Sequence, residues 1–248
     1  MKPGNVAPVV AVLSALALAA PAAAVTDSTP PQVTLNQGLL FTTHTILGDN
    51  TLNPMIGPVS ITFAASDDTG ITSLDAIANV FDQDVNNVGT YEVNDNPAAR
   101  ELTPSIALNG EVDAQVSAYD AAGNLGADFA TYYPHLRQQQ AFRLTGHWYG
   151  GRRASWSGGT LIHSAQPGAT ATYTFNGRSV ALIGDYGPDR GALDVSWGSS
   201  HQAVDTQGFF SPRAVIFAHR FNSAGSHTVT VTVTSTTRVD LDALIFQN

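Results

Sequence analysis

The segment from Ser226 to Phe246, SHTVTVTVTSTTRVDLDALIF, leaves the chain least choice of fold. Val229, Val231 and Val233 alternate with Thr228, Thr230, Thr232 and Thr234. A period of two sends the valines to one face of an extended chain and the threonines to the other. β-branched side chains at successive positions favour that extended state over a helix. Ser235-Thr236-Thr237 interrupts the run, and Arg238 to Phe246 reads as a second strand. Val239, Leu241, Ala243 and Ile245 share one face of it, with Asp240 and Asp242 on the other. The simplest arrangement is a C-terminal hairpin inside a β-sandwich.

Upstream, short runs of the same kind recur and no stretch carries a helical period. In the first half these are Gln32 to Leu35, Val59 to Ala65, Val112 to Tyr119 and Ala127 to Tyr133, with Asn109-Gly110 as a turn signal. The Asn- and Asp-rich stretch from Phe81 to Arg100 gives no strand pattern. In the second half they are Ala154 to Trp156, Thr160 to His163, Ala169 to Phe175, Arg178 to Ile183, Ala192 to Trp197 and Ala214 to His219, before the terminal pair. Asn176-Gly177 reads as a two-residue hairpin turn. Residues 134–141, PHLRQQQA, read as a linker. The expectation is an all-β protein of two sandwiches, residues 25–135 and 141–248.

Residues 1–24 read as an export signal: Lys2, an apolar run from Ala7 to Ala20, and a small-residue cleavage site at Ala22-Ala23-Ala24. The mature chain then starts at Val25, is secreted, and has no later apolar run that spans a membrane. There are no cysteines, so disulfides and thiolate metal sites are excluded. Charge is divided unevenly. Val25 to His135 holds 14 acidic residues against Arg100 alone, whereas Leu136 to Asn248 holds nine arginines against six aspartates. The acidic first half argues against nucleic acid as a partner, since phosphate binding needs clustered cations.

Two resemblances follow from particular phrases. DSTPPQVTL, VSITFAASDDTGI and VSAYDAAGNLG resemble the immunoglobulin-like modules repeated in exported bacterial proteins. That resemblance implies a spacer or binding domain without catalytic residues. WSGGTLIHS, TYTFNGRSVALIG, YGPDRGALDV, RAVIFAHRF, AGSHTVTVTV and VDLDALIF follow one another as in galactose-binding-like jelly-roll modules of exported, often actinobacterial, proteins. One departure is Ser196-Trp197-Gly198, where such modules commonly read Val-Asp-Gly. This second resemblance implies carbohydrate recognition as a class, not an activity.

The candidate sites follow. In an immunoglobulin-like sandwich Asp27, Asp67, Asp68, Asp120 and Asn124 fall in loops at one end, and hard oxygen donors from separate loops suit Ca²⁺. Asp and Asn also make turns through local side-chain bonds, which needs no ion. For a glycan, flat rings stack on the sugar and polar neighbours take its hydroxyls. Trp148, Tyr149 and Tyr186 sit in glycine-rich stretches, with Asp185 and Arg190 beside them. Trp156 and Trp197, on strands, read as packing residues. His163, His219 and His227 lie in or next to strands and read the same way. No zinc-hydrolase helix motif, nucleophile elbow or phosphate loop is present. The expected function is non-catalytic recognition of a cell-wall or environmental glycan. The alternatives are a structural or adhesion role with a protein partner, and a jelly-roll polysaccharide-degrading enzyme.

Overall fold

The computed structural model describes residues 27–48 and 54–248. The predicted export signal lies outside the described residues. The protein is all-β, an immunoglobulin-like sandwich followed by a jelly-roll sandwich. Its helical elements among the described residues are two 3-10 turns, Gln139–Ala141 and Ser157–Gly159. No helix there is long and apolar enough to cross a membrane.

The first sandwich has one sheet centred on Val59–Ser66, paired with Gln32–Leu35, Leu40–Phe41 and Glu101–Leu102. The facing sheet runs Leu125–Tyr132, Glu111–Asp120, Ile71–Phe81, Asn87–Val93. Val59, Ile61 and Phe63 meet Val112, Ala114, Val116 and Ala118 in its core. Alternation set those faces, and the structure agrees with it. The stretch that gave no pattern contains Asn87–Val93, an edge strand with no buried residue. Only Tyr91 and Val93 of this strand pack on the core, and only in part, too short a pattern to register in sequence.

In the second sandwich the larger sheet runs Pro134–Gln138, Ala243–Gln247, Thr170–Tyr186, Ser211–Val233, Ala192–Trp197, Ser200–Asp205. Arg143–Thr145 pairs with the start of Thr170–Tyr186. The smaller sheet is Tyr149–Arg152, Thr160–Ser164 and Val239–Leu241.

Three local expectations are corrected here. The terminal hairpin does not form. Val229 pairs with Tyr173 and Trp197, while Val239 pairs with Ser164 in the other sheet. The polar break at Ser235-Thr236-Thr237 carries the chain between sheets instead of turning it back. Asn176-Gly177 is not a turn either. Both residues lie inside the strand Thr170–Tyr186, where Asn176 pairs with Ser226 and Gly177 with Gly225. Gly177 is small there for a steric reason, since a Cβ would stand 2.4 Å from the Gln247 carbonyl oxygen.

The third correction concerns residues 134–141, which are not a linker. Pro134–Gln138 forms a strand that pairs with Ala243–Gln247, and Gln139 is buried with its N–H donating to the Asp242 carbonyl. Beyond that, the two sandwiches share a core. Ala181, Ile183, Val215, Ala243 and Ile245 pack with the apolar residues of the first half. Their neighbours Val180, Leu182, Ala214, Ile216 and Leu244 pack into the second core. The middle of the larger sheet is thus buried on both faces, which explains its continuous apolar runs. Backbone bonds tie the halves as well: His44 N–H donates to Val215 O at 2.9 Å, and Val215 N–H to Thr45 O at 2.8 Å.

Candidate functional site

The predicted ligand face is dispersed by the fold. Tyr186 is buried in the second core, with its ring stacked on His44 at 4.5 Å. Asp185 is 1% exposed and accepts from Trp156 Nε1 at 2.9 Å and from Arg213 N–H at 3.1 Å. Arg190 is buried with Asp240, Asp189 and Asp185 around it. Trp148 donates its Nε1 to Thr170 O at 3.0 Å and packs on the second core. Only Tyr149 stands out, 60% exposed and stacked on His163. The glycine-rich surroundings of Tyr186 were misleading. Gly184 is inside a strand, where a Cβ would come within 2.4 Å of the Asp240 carbonyl oxygen. Trp156 is buried as expected, but residues 154–156 form a turn closed by the Trp156 N–H donating to Arg153 O, not the strand expected there; Trp197, on the strand Ala192–Trp197, packs against Phe217 and His219.

The charged residues form an interior cluster. Asp240 is fully buried, and both its oxygens are taken, one by Arg190 Nε and one by Arg238 Nε. Asp242 is fully buried too, but only its Oδ2 has a partner, the Ser157 N–H at 2.9 Å. Burial pushes the Asp242 carboxyl up to about 7, and the nearby Asp185 and Asp240 charges add to the rise. Burial raises Asp185 as well, against the hydrogen bonds that favour its charge. These carboxylates pin the segment from Arg153 to Gly159 from beneath, through Trp156 and Ser157. They are sealed from solvent and offer no face to a substrate.

The loop acids divide in two. Asp27, Asp67 and Asp68 each bring a carboxylate oxygen within 4.8 Å of the others. Thr69 Oγ1 lies 2.7 Å from Asp27 Oδ2 and 2.8 Å from Asp67 Oδ2, although a hydroxyl has one proton to give. Asp67 Oδ1 is enclosed without a hydrogen-bond partner. Asp120 does not join them. It is 3% exposed and spends its oxygens on Ala122 N–H, Asn124 N–H and Asn124 Nδ2, which close its own turn. Hydrogen bonds to Asn124, Ala122 and Gly123 hold its carboxyl below the usual range, with burial opposing them. Asn124 reaches the Asp27 carbonyl through Nδ2. The oxygen chemistry of the remaining three suits a hard cation, but one converging oxygen from each is fewer than the six to eight that Ca²⁺ takes.

The most exposed aromatic residues were missed by the sequence reading. Phe209 is 98% exposed and Phe210 50%. They lie on the loop between Ser200–Asp205 and Ser211–Val233, and this loop is well anchored. Gly208 N–H donates to Gly187 O, Thr206 N–H and Oγ1 to Gly191 O, and Gln207 N–H to Asp205 Oδ1. The Arg153 guanidinium lies over the Phe210 ring, 5.3 Å from its centroid. One signal was available: Phe209-Phe210 falls between Gly208 and Ser211-Pro212, outside every alternating run, so no core face claims it.

No family model matches the chain, and no curated protein does. Solved structures with a similar arrangement include a family two carbohydrate esterase from Cellvibrio japonicus, at TM-score 0.37 and 14% identity. That match covers 47% of this chain and 34% of the esterase, so the chain spans about a third of its length. A carbohydrate-binding module, CBM36, solved with calcium and xylotriose, matches at TM-score 0.33 and 12% identity over 46% of this chain and 98% of the module. An exo-β-1,3-galactanase from Phanerochaete chrysosporium, solved with galactose, matches at TM-score 0.37 and 12% identity over 88% of this chain and 68% of the enzyme. The likeness is one of β-sandwich architecture.

Proposed function

We propose that this is an exported, non-catalytic glycan-recognition protein that binds through the Phe209–Phe210 loop of its second sandwich, with the first sandwich as spacer. The observation that carries the reading is Phe209, 98% exposed beside the half-exposed Phe210, on a loop bonded at Thr206 and Gly208 and followed by Ser211 paired with Tyr186. An apolar ring left in water has little to gain in the free protein. It gains on contact with the C–H face of a sugar, and a rigid loop loses little entropy in making that contact.

The test is retention of the full chain on insoluble and soluble glycans in affinity electrophoresis. Phe209→Ala and Phe210→Ala should each leave the melting temperature within about a degree of wild type, given their exposure. Each should weaken retention at least tenfold, roughly the 1.4 kcal/mol of one lost stacking contact. Retention unchanged in both variants would move the site elsewhere on the surface.

A further inference from the structure

We infer that the sugar recognised at this loop carries a carboxylate, and that Arg153 is the residue that reads it. This inference rests on the glycan reading above and narrows it to uronate-bearing polysaccharides.

The argument starts from how Arg153 is held. Its guanidinium carbon lies over the Phe210 ring, 5.3 Å from the centroid, a cation–π contact that holds the side chain beside the loop. The five N–H donors of a guanidinium lie in its plane, not on its face. Among the described residues, no carboxylate lies within ion-pair reach of Arg153 or of the preceding Arg152, and no side-chain hydrogen bond ties either guanidinium. Both residues are exposed. The acids nearest the loop in sequence are already engaged, Asp205 Oδ1 with the Gln207 N–H, Asp194 with His201 Nδ1 and Asp189 with Arg190. The Arg153 backbone is fixed from below, because its N–H donates to Gly159 O and its carbonyl accepts from Trp156 N–H. Trp156 is in turn bonded to buried Asp185.

An oriented guanidinium with a free edge is suited to a bidentate carboxylate. Phe209, the residue before Phe210 in the loop, is a bare phenyl ring, 98% exposed and suited to the apolar face of a pyranose. A neutral sugar would use the ring and leave the guanidinium edge facing water. A simple anion would use the guanidinium and leave Phe209 idle. A uronic acid residue presents both features a few ångströms apart, a C–H face and a planar carboxylate, and so uses both.

The experiment compares polygalacturonate with its methyl ester in affinity electrophoresis at low ionic strength, using the full chain. The ester keeps the sugar face and loses the charge. Wild type should be retained by polygalacturonate at least tenfold more strongly than by the ester, and added salt should erase the difference. Arg153→Gln should lower binding of the acid to the level of the ester, and Arg153→Lys should not restore it, since an ammonium lacks the planar fork. Phe209→Ala should weaken binding of both polymers. Equal binding of acid and ester, or an unaffected Arg153→Gln, overturns the carboxylate inference while Phe209-dependent retention still upholds glycan recognition. Retention independent of Phe209, or stronger retention by an acidic polypeptide such as polyglutamate than by either polysaccharide, overturns both.

Discussion

Asp242 is the residue at which chemistry and stability meet most directly. Its side chain is buried, one oxygen has no partner, and its carboxyl is raised from an ordinary value near 3.8 to about 7. The groups that face it are Asp185 and Asp240, with Arg213 as the opposing charge and the Ser157 N–H as the bond to its anion. A carboxyl whose value is higher in the folded state gives up its proton more reluctantly there than in the unfolded chain. Its stability contribution is therefore fully present below about pH 3.8 and is lost as pH rises through 7. Each pH unit within that window is worth at most about 1.4 kcal/mol for one proton. Asp242→Asn removes the titration, so its stability between pH 5 and 8 should fall less steeply than that of wild type. At pH 8, above both values, the variant should be the more stable of the two. Parallel denaturation curves for the two proteins across that range would rule out Asp242 as the source of the slope.

At the scale of elements, what the sequence disclosed depended on how each element is buried. Strands with one wetter face, such as Val59–Ser66 and Glu111–Asp120, declared their core residues through alternation, and the structure buries Val59, Ile61 and Phe63 and Val112, Ala114, Val116 and Ala118, with Ser60 the exception on the outer face. Strands buried on both faces did not. Residues from Val239 to Gln247 are all buried, so nothing in the pattern separates Val239 and Leu241, which enter the second core, from Ala243 and Ile245, which enter the first. The same limit misplaced the ligand face. Glycines flanking Tyr186 suggested a loop; Gly187 does open a turn, with the Arg190 N–H donating to its carbonyl, but Gly184 is there for close backbone approach inside a strand. The metal candidate was half legible: Asp27, Asp67 and Asp68 do converge, and the turn-forming alternative holds for Asp120. Three converging carboxylates repel one another, and a divalent ion relieves that repulsion. Millimolar Ca²⁺ should thus raise the melting temperature, chelator should reverse the rise, and Asp67→Asn should remove the response while gaining slightly in chelator. A wild-type melting temperature indifferent to 10 mM Ca²⁺ would leave these loops with turn formation alone.

For the molecule as a whole, the shared sheet decides how it unfolds. Two sandwiches on a flexible linker would melt as two units, and each half would fold when expressed alone. Here Ala181, Ile183, Val215, Ala243 and Ile245 present one face of the second sandwich to the core of the first. Separating the halves exposes that face together with the residues that cover it, and a fully buried Ile or Val is worth about 1.5–3 kcal/mol. Three such side chains already approach the whole stability of an ordinary domain, about 5–15 kcal/mol. Pro134–Gln138, which a cut near residue 135 would divide, is also the edge strand that covers Ala243–Gln247. The expected result is one cooperative transition in calorimetry, with the calorimetric and van't Hoff enthalpies equal. Ile183→Ala should lower the stability of the entire chain by roughly 2–5 kcal/mol, with both halves still melting together. Amide exchange checks this residue by residue: the slowest amides of Glu111–Asp120 and of Thr170–Tyr186 should share one opening free energy, and the substitution should lower both equally. Protection lost in the second half while the first keeps its own would show that the two sandwiches unfold separately, with the shared face serving only as a docking contact.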